Sequence, residues 1–554
     1  NGDWDMGHLI GVGFPPRPRI LSNCRRTLEG VRWLPAVCVA LAMAGCTTLG
    51  PDFQVPETAK PESWLEQGEK SVIAAPTEVK DWWRVFNDPA LDGLIEAALA
   101  QNLPLQIAGL RILQARAQLG IARGALYPQS QTAGASAAAI NLSENSPNWN
   151  SAADDSFNQY QAGFDAAWEL DFWGRFRRGL EAADANMAAS VAAYQQAMVT
   201  LTAEVARTYV SIRTFEERIR IAENNVKLQK TSLNIASVRF RNGATTELDV
   251  QQAKTNLANT QALIPVLVQG VRQAKNSLST LLGLPPGKVD HMLGGSHKIP
   301  VVPQQIAVGI PTELLRRRPD VRQAELQAAV ASAQIGIAEA DLYPSFSLFG
   351  SIGLQTSDTG NSGLNDFFDG DSLASSIGPG VTWNIFNYGR LKNNVRAQDA
   401  VFQQTLVNYQ NTVLRAYQEA EDGIVAFLQS KREAIYRKVS ADAAARSTQL
   451  ANIQYREGAV DFQRVVDSER SLVNQQDQLT NTMGDIALNL IATYKALGGG
   501  WQVEGERAVV PEQMQQVMRE RTDWGDVLPP ENLPDAMEPP PAASRQPLFP
   551  PVDW

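Results

Sequence analysis

Apolar residues recur along most of this chain at helical spacing. In the first half they fall at Val191, Tyr194, Met198, Leu201, Val205, Tyr209, Ile212, Ile219, Val226, Leu233 and Phe240. The steps are mostly three, four or seven, which is the seam of a coiled coil. No proline interrupts residues 148–264 or 380–510. The pattern predicts a helix over about 177–240, about 95 Å long at about 1.5 Å per residue. It then predicts a turn at Asn242-Gly243-Ala244 and a return helix over about 246–282. The second half repeats this, with a turn at Glu457-Gly458-Ala459 and a return over about 461–497. Glycine just past a helix is the expected C-terminal stop. Pro265 should kink or locally break the first return helix. Shorter helices are predicted over about 90–124 and 312–340, each ended by Tyr-Pro.

Four segments follow a different period: Gln129–Leu142, Tyr160–Phe172, Ser345–Thr356 and Leu373–Phe386. Alternation is clearest where Phe346, Leu348, Ile352 and Leu354 fall on one side and Ser345, Ser347 and Ser351 on the other. Each segment has the length of a tilted membrane strand. Polar loops separate them, and aromatics cluster near their ends (Tyr127, Trp168, Phe172, Trp173; Tyr343, Trp383, Phe386, Tyr388), as interfacial girdles do. A small soluble antiparallel sheet fits the strand pattern equally well.

The two halves are also alike in sequence. GIARGALYP (Gly120–Pro128) returns as GIAEADLYP (Gly336–Pro344), and VRFRNGA (Val238–Ala244) as IQYREGA (Ile453–Ala459). Trp168…Gly174-Arg175 returns as Trp383…Gly389-Arg390, and Leu282-Gly283 as Leu497-Gly498. One order at an offset of 215 or 216 residues marks an internal repeat. The chain divides into a leader with a signal peptide (1–45), an N-terminal segment (46–90), repeat 1 (91–284), a linker (285–311), repeat 2 (312–500) and a Pro-rich tail (501–554) expected to be loosely ordered.

Composition narrows the function. The 554 residues carry 59 acidic and 49 basic side chains, a net charge of −10, which argues against nucleic acid as a partner. There are three His, and the three cysteines, Cys24, Cys38 and Cys46, all lie near the start, which excludes a disulfide scaffold and argues against a thiol enzyme or a His/Cys metalloenzyme. Arg25-Arg26 and Arg32 precede the short apolar run Trp33–Gly45, too short to span a bilayer and shaped as an export signal. The next residue is Cys46. The segment resembles a lipoprotein signal, which implies a covalent lipid (palmitate among its acyl chains) on Cys46. Met43 stands where that pattern prefers Leu, and Thr47 favours outer-membrane sorting by the same resemblance. No later uncharged apolar stretch spans a membrane as a helix, so any spanning falls to strands.

No enzyme signature is present. GLPPGK (Gly283–Lys288) is one residue short of a phosphate-binding loop and follows a helix, and His291 and His297 sit in a Pro/Gly linker. No cofactor, other than the lipid, and no catalytic residue is expected. Four strands cannot close a membrane barrel, whose single-chain minimum is about eight. Three copies give twelve strands, and twelve long helical passes to enclose a tube.

The chain resembles the outer-membrane factor family of tripartite export pumps, the TolC/OprM group, in its lipoprotein branch. The residues that carry this are WELDFWGR (Trp168–Arg175), TWNIFNYGR (Thr382–Arg390), RRRPDVRQAE (Arg316–Glu325), LLGLPPG (Leu281–Gly287), YREGAVDFQRVVDSERSL (Tyr455–Leu472) and YKALGGGW (Tyr494–Trp501). The resemblance implies a mixed α and β membrane protein. It would be a homotrimer with a 12-stranded outer-membrane β-barrel, four strands per chain, continued by an α-helical coiled-coil barrel with a mixed equatorial domain. It implies a passive duct for drugs or toxic small molecules, docked to a periplasmic adaptor and an inner-membrane transporter, usually proton-driven. The helix tips, Gly243-Ala244 and Gly458-Ala459, are then the adaptor contacts. Tyr455 and Asp467 match the family's periplasmic gate, whereas Arg464 stands where some members carry a first acid. Arg464 and Asp467, i and i+3 on a helix, could pair within or between protomers. The alternatives are a duct for polypeptide secretion and, in another class, a periplasmic coiled-coil scaffold or adhesin lipoprotein.

Overall fold

The computed structural model describes residues 48–528, apart from 58–60, 62, 70, 74–78, 144, 146–155, 295–296, 310, 312–316, 360–361 and 503–507. A two-residue strand, β1 (Val72–Ile73), comes first. The first half then runs α1 (Pro89–Gln101), α2 (Leu103–Gly124), β2 (Ser130–Asn141), β3 (Ser156–Leu170), α3 (Arg175–Arg241) and α4 (Glu247–Leu281). After β4 (Ile306–Ala307) the second half runs α5 (Pro319–Ala340), β5 (Ser345–Ser357), β6 (Leu373–Thr382), α6 (Arg390–Arg456) and α7 (Phe462–Ala496). A last helix, α8 (Glu512–Arg521), follows. Both long helices have 67 residues, and both return helices have 35.

Three expectations need correction. The helix expected over 90–124 is two helices. Asn102 adopts an extended backbone, and its side chain caps α2 by accepting from the Leu105 N–H at 2.8 Å, with Pro104 pre-set for the first turn. Of the kink or local break expected at Pro265, the break is absent, and the helix of α4 runs from Glu247 to Leu281 with the proline inside it. The tail is not wholly loose: α8 packs against α2 through Leu113, Val510, Met518 and Leu528, and Arg116 donates to the Val527 carbonyl at 3.2 Å. The tail beyond residue 528 lies outside the described residues, as do the leader and Cys46.

The four long strands form one antiparallel sheet in the order β2-β3-β5-β6. Residues directly opposite each other share a face. The registers therefore place Ala133, Phe164, Ile352 and Ser375 on one side, with Ala162, Trp168, Leu348, Ile377 and Val381 beside them. The other side carries Thr132, Ser136, Gln161, Asp165, Glu169, Ser347, Ser351 and Ser376. A soluble antiparallel sheet buries its apolar face under a second layer. Here that face is bare: Phe164 is 67 % exposed, Ile352 53 %, Ile377 80 % and Val381 64 %. Both outer strands, β2 and β6, also keep one unpaired edge within the chain.

The main apolar core lies in the belt around the upper helices, among Trp82, Trp83, Phe86, Leu94, Ile95, Tyr209, Ile424, Phe427 and Leu490. Trp82 stacks on Tyr494 at 5.5 Å. Two polar joints fasten the belt to the returning helices. In the first half Asn102 donates to the Leu281 carbonyl at 2.8 Å. In the second, Arg318 donates to the Ala496 carbonyl at 3.0 Å and pairs with Asp320 at 2.6 Å and Glu419 at 2.8 Å.

Candidate functional site

Each hairpin turns on one glycine in the left-handed region, Gly243 at φ +72° and Gly458 at φ +78°. The Ala244 N–H donates back to the Arg239 carbonyl and the Ala459 N–H to the Gln454 carbonyl, both at 2.8 Å. These bonds satisfy carbonyls that the helix end leaves orphaned. Gly243, Ala244, Gly458 and Ala459 are all exposed. The expected adaptor contacts therefore stand at the far ends of the two hairpins, presenting mainly backbone.

The tips are joined to each other through Tyr455, which is 2 % exposed. Its hydroxyl donates to Asp249 Oδ2 at 3.0 Å, and the Thr245 hydroxyl donates to the same oxygen. Its ring lies 5.0 Å from Phe462 and 4.5 Å from the Arg239 guanidinium carbon, and Arg239 also donates to the Tyr455 carbonyl. Burial, with the bond to Asp249, pushes the Tyr455 pKa up to about 12, so it stays a neutral donor. One side chain thus meets α3, α4 and α7 at once. A small apolar cluster of Ala236, Val250, Ala451, Val465 and Val466 packs around it.

Arg464 and Asp467 lie on the exposed side of α7, opposite Val465 and Val466. They do not pair with each other in the protomer. Asp467 accepts from Gln463 Nε2 at 2.8 Å, and Gln463 in turn accepts from Gln252 of α4 at 3.2 Å. The Arg464 backbone N–H is capped by Asp461 at 3.3 Å. The Arg464 and Asp467 charges are presented outward, side by side on one helical turn.

Sequence reasoning missed three residues of this region. Asp249 and Arg239 are the first-half partners of Tyr455, and no spacing rule pairs residues on four helices. Glu469, 2 % exposed, accepts from Ser232 and Asn256. Its signal was present: it occupies a seam position of α7, in step with Phe462, Val466 and Leu472, where an apolar residue is the rule.

At the other end of the helices, residues 48–52 form a strap at the junction of sheet and bundle. The Leu49 N–H donates to the Trp173 carbonyl at 3.0 Å. Arg178, 4 % exposed, donates to the Leu49 and Gly50 carbonyls at 3.0 and 3.1 Å and pairs with Asp52 at 2.8 Å. Among the described residues no His, Cys, Asp or Glu grouping suits a metal ion, and no helix is long and apolar enough to cross a membrane.

Comparison with known proteins follows this geometry closely. Residues 94–284 and 310–499 match the family described as outer membrane efflux protein, one match in each half. The chain is 30 % identical over 476 residues to the pyoverdine export outer membrane protein OpmQ of Pseudomonas putida, covering 85 % of this chain and 98 % of that one. It is 30 % identical over 467 residues to the cation efflux system protein CusC of Escherichia coli, covering 84 % and 98 %. Among solved structures, the outer-membrane channel OprN matches with a TM-score of 0.77 at 32 % identity, over 82 % of this chain and 99 % of that chain.

Proposed function

The chain belongs to the outer membrane efflux protein family, and on that premise we propose that it works as a passive trimeric duct through the Gram-negative outer membrane. It is the outer-membrane channel component of an efflux system. The observation that carries the trimer is the sheet: four strands, two open edges and a bare apolar face. Lipid tolerates no open edge, because unpaired N–H and C=O groups find no partner there. Setting β6 of one copy against β2 of the next closes twelve strands, with apolar residues toward lipid and Asp165, Glu169 and the serines toward the lumen. The 67-residue helices, about 100 Å long at about 1.5 Å per residue, continue the tube into the periplasm.

In this reading the tips at Gly243-Ala244 and Gly458-Ala459 meet a periplasmic adaptor, which joins the duct to a proton-driven inner-membrane transporter. The transporter selects the cargo, and the duct performs no chemistry. A lipid on Cys46 fits the strap: Leu49 is held by the Trp173 carbonyl at the base of the sheet, so a chain attached three residues earlier reaches the inner leaflet. Asp467 and Arg464, outward on α7, line the constriction. Three Asp467 carboxylates about a three-fold axis attract cations there, and the Tyr455 knot sets how closely the second hairpin folds inward.

The test is single-channel conductance of the purified protein in a planar bilayer, wild type beside Asp467→Ala. A small wild-type conductance that grows in the variant is expected. Equal conductances would keep the duct and remove Asp467 from its narrowest point. No current from correctly inserted trimers would overturn the duct.

A further inference from the structure

The seam between the two hairpins of a protomer is polar where a coiled coil is normally apolar. Asn225 donates to Gln476 at 2.8 Å, and Ser232, Asn256, Asn452 and Glu469 meet one step nearer the tip. Gln229, one turn from Ser232 on α3, is 2 % exposed, and neither of its amide atoms has a partner. A seam with unmet hydrogen bonds is cheaper to part than a close-packed one.

Glu469 is the only ionisable member of this group. It belongs to α7, and its partners come from the other three hairpin helices: Ser232 of α3, Asn256 of α4 and Asn452 of α6. Nothing charged faces it from any of them among the described residues. The nearest titratable knot, Tyr455 with Asp249 and Arg239, lies nearer the tip and is closed on itself. Asp467, two residues earlier, points to nearly the opposite side of α7.

The proton count is informative. The Ser232 hydroxyl has one hydrogen but two close acceptors, Asn452 Oδ1 at 2.9 Å and Glu469 Oε1 at 2.5 Å. Both contacts become hydrogen bonds when Glu469 brings its own proton, donating to Ser232 Oγ while Ser232 donates to Asn452. Asn256 Nδ2 donates to the other carboxyl oxygen at 2.8 Å in either case. The closed arrangement is complete with a neutral carboxyl, whereas an ionised one is a buried charge held by hydrogen bonds from Ser232, Asn452 and Asn256 with no cation beside it.

We propose that Glu469 is a proton-controlled latch between the hairpins, holding them together when protonated and loosening them when ionised. The proposal rests on the reading of the tips as a gate and adds its control. The sign follows from burial, which raises the Glu469 pKa above its ordinary value. Parting the hairpins hydrates the carboxyl and returns it toward about 4.3, so opening releases a proton. Opening is therefore disfavoured at low pH and favoured as pH rises from the ordinary value through the raised one. One proton per protomer changes that protomer's open-to-closed ratio by at most about tenfold per pH unit.

The experiment is bilayer conductance as a function of pH for wild type, Glu469→Gln and Ser232→Ala trimers. Wild-type current should rise with pH. Glu469→Gln, which mimics the neutral form, should stay near the low-pH wild-type level and lose that rise. Ser232→Ala removes the group that accepts from the neutral carboxyl and donates to the ionised one, and should move the wild-type midpoint. An unchanged pH profile in Glu469→Gln, or a profile that is flat but high, overturns the latch. If that variant does not assemble, an unmoved midpoint in Ser232→Ala overturns it alone. An effect of Asp467→Ala without any of Glu469→Gln would leave the gate standing and remove only the latch.

Discussion

The two halves of the chain run through the same order of long elements and put different side chains at positions that match in sequence. Phe240 and Tyr455 occupy matching places before the two tips. Phe240 is 43 % exposed, whereas Tyr455 is 2 % exposed and bonded to Asp249. At the matching place to Asp249 the second half carries Arg464, which faces outward. Near the belt, Asn102 makes one bond to a returning helix where Arg318 makes that bond and two ion pairs. At the tips the first half supplies sockets (Asp249, Ser232, Asn256), and the second supplies the side chains that enter them (Tyr455, Glu469). The two halves share the order and lengths of their long helices. Divergence at a handful of positions explains why one hairpin holds and the other is held.

The belt joints offer the largest effect with which to break this comparison. Arg318→Ala leaves Asp320, Glu419 and a buried carbonyl unpaired and should cost about 3 kcal/mol. Asn102→Ala, which removes a cap and one bond, should cost about 1–2 kcal/mol. Thermal melting of the trimer followed by circular dichroism orders the two, and equal losses would refute the asymmetry. At the tips, Tyr455→Phe removes one bond to Asp249 and should cost about 1–1.5 kcal/mol while raising conductance. The mirror change, Phe240→Tyr, should stay within about 0.5 kcal/mol and leave conductance alone. The smallest difference is expected at the turns. Gly243→Ala and Gly458→Ala each force a methyl into the left-handed region and should each cost about 1 kcal/mol. A large gap between them would mean the turns are not equivalent after all.

Much of the frame is legible in the sequence because its signals are local. The long helices expected over 177–240 and 461–497 run Arg175–Arg241 and Phe462–Ala496, since apolar period and Gly stops act within a few residues. The break at Asn102 is missed because capping and Pro104 override a continuous apolar stripe. The helix Glu512–Arg521 is missed because the Pro-rich residues after it colour the composition of the whole tail. Of the tip residues, Tyr455 and Asp467 come from resemblance, while Asp249, Arg239 and Glu469 do not. Their roles depend on which faces of four helices meet, and that is a property of packing rather than of spacing. The sheet shows the same limit. Alternation marks its two faces, but only the folded structure shows that no layer of the chain covers the apolar one.

In the proposed duct the second hairpin, and not the first, forms the narrow point. The sequence has no cysteine after Cys46, so a thiol can be placed at either hairpin without interference. Position 467 has its first-half counterpart at Gln252, which is turned toward Gln463. The decisive measurement is bilayer current through Asp467→Cys and Gln252→Cys trimers before and after cadmium, added from the side of the tips. Three thiolates around a narrow axis bind the ion tightly, whereas three separated ones do not. Current should fall sharply in Asp467→Cys and hardly change in Gln252→Cys or wild type. Block at Gln252→Cys with none at Asp467→Cys, or equal block at both, would contradict the account.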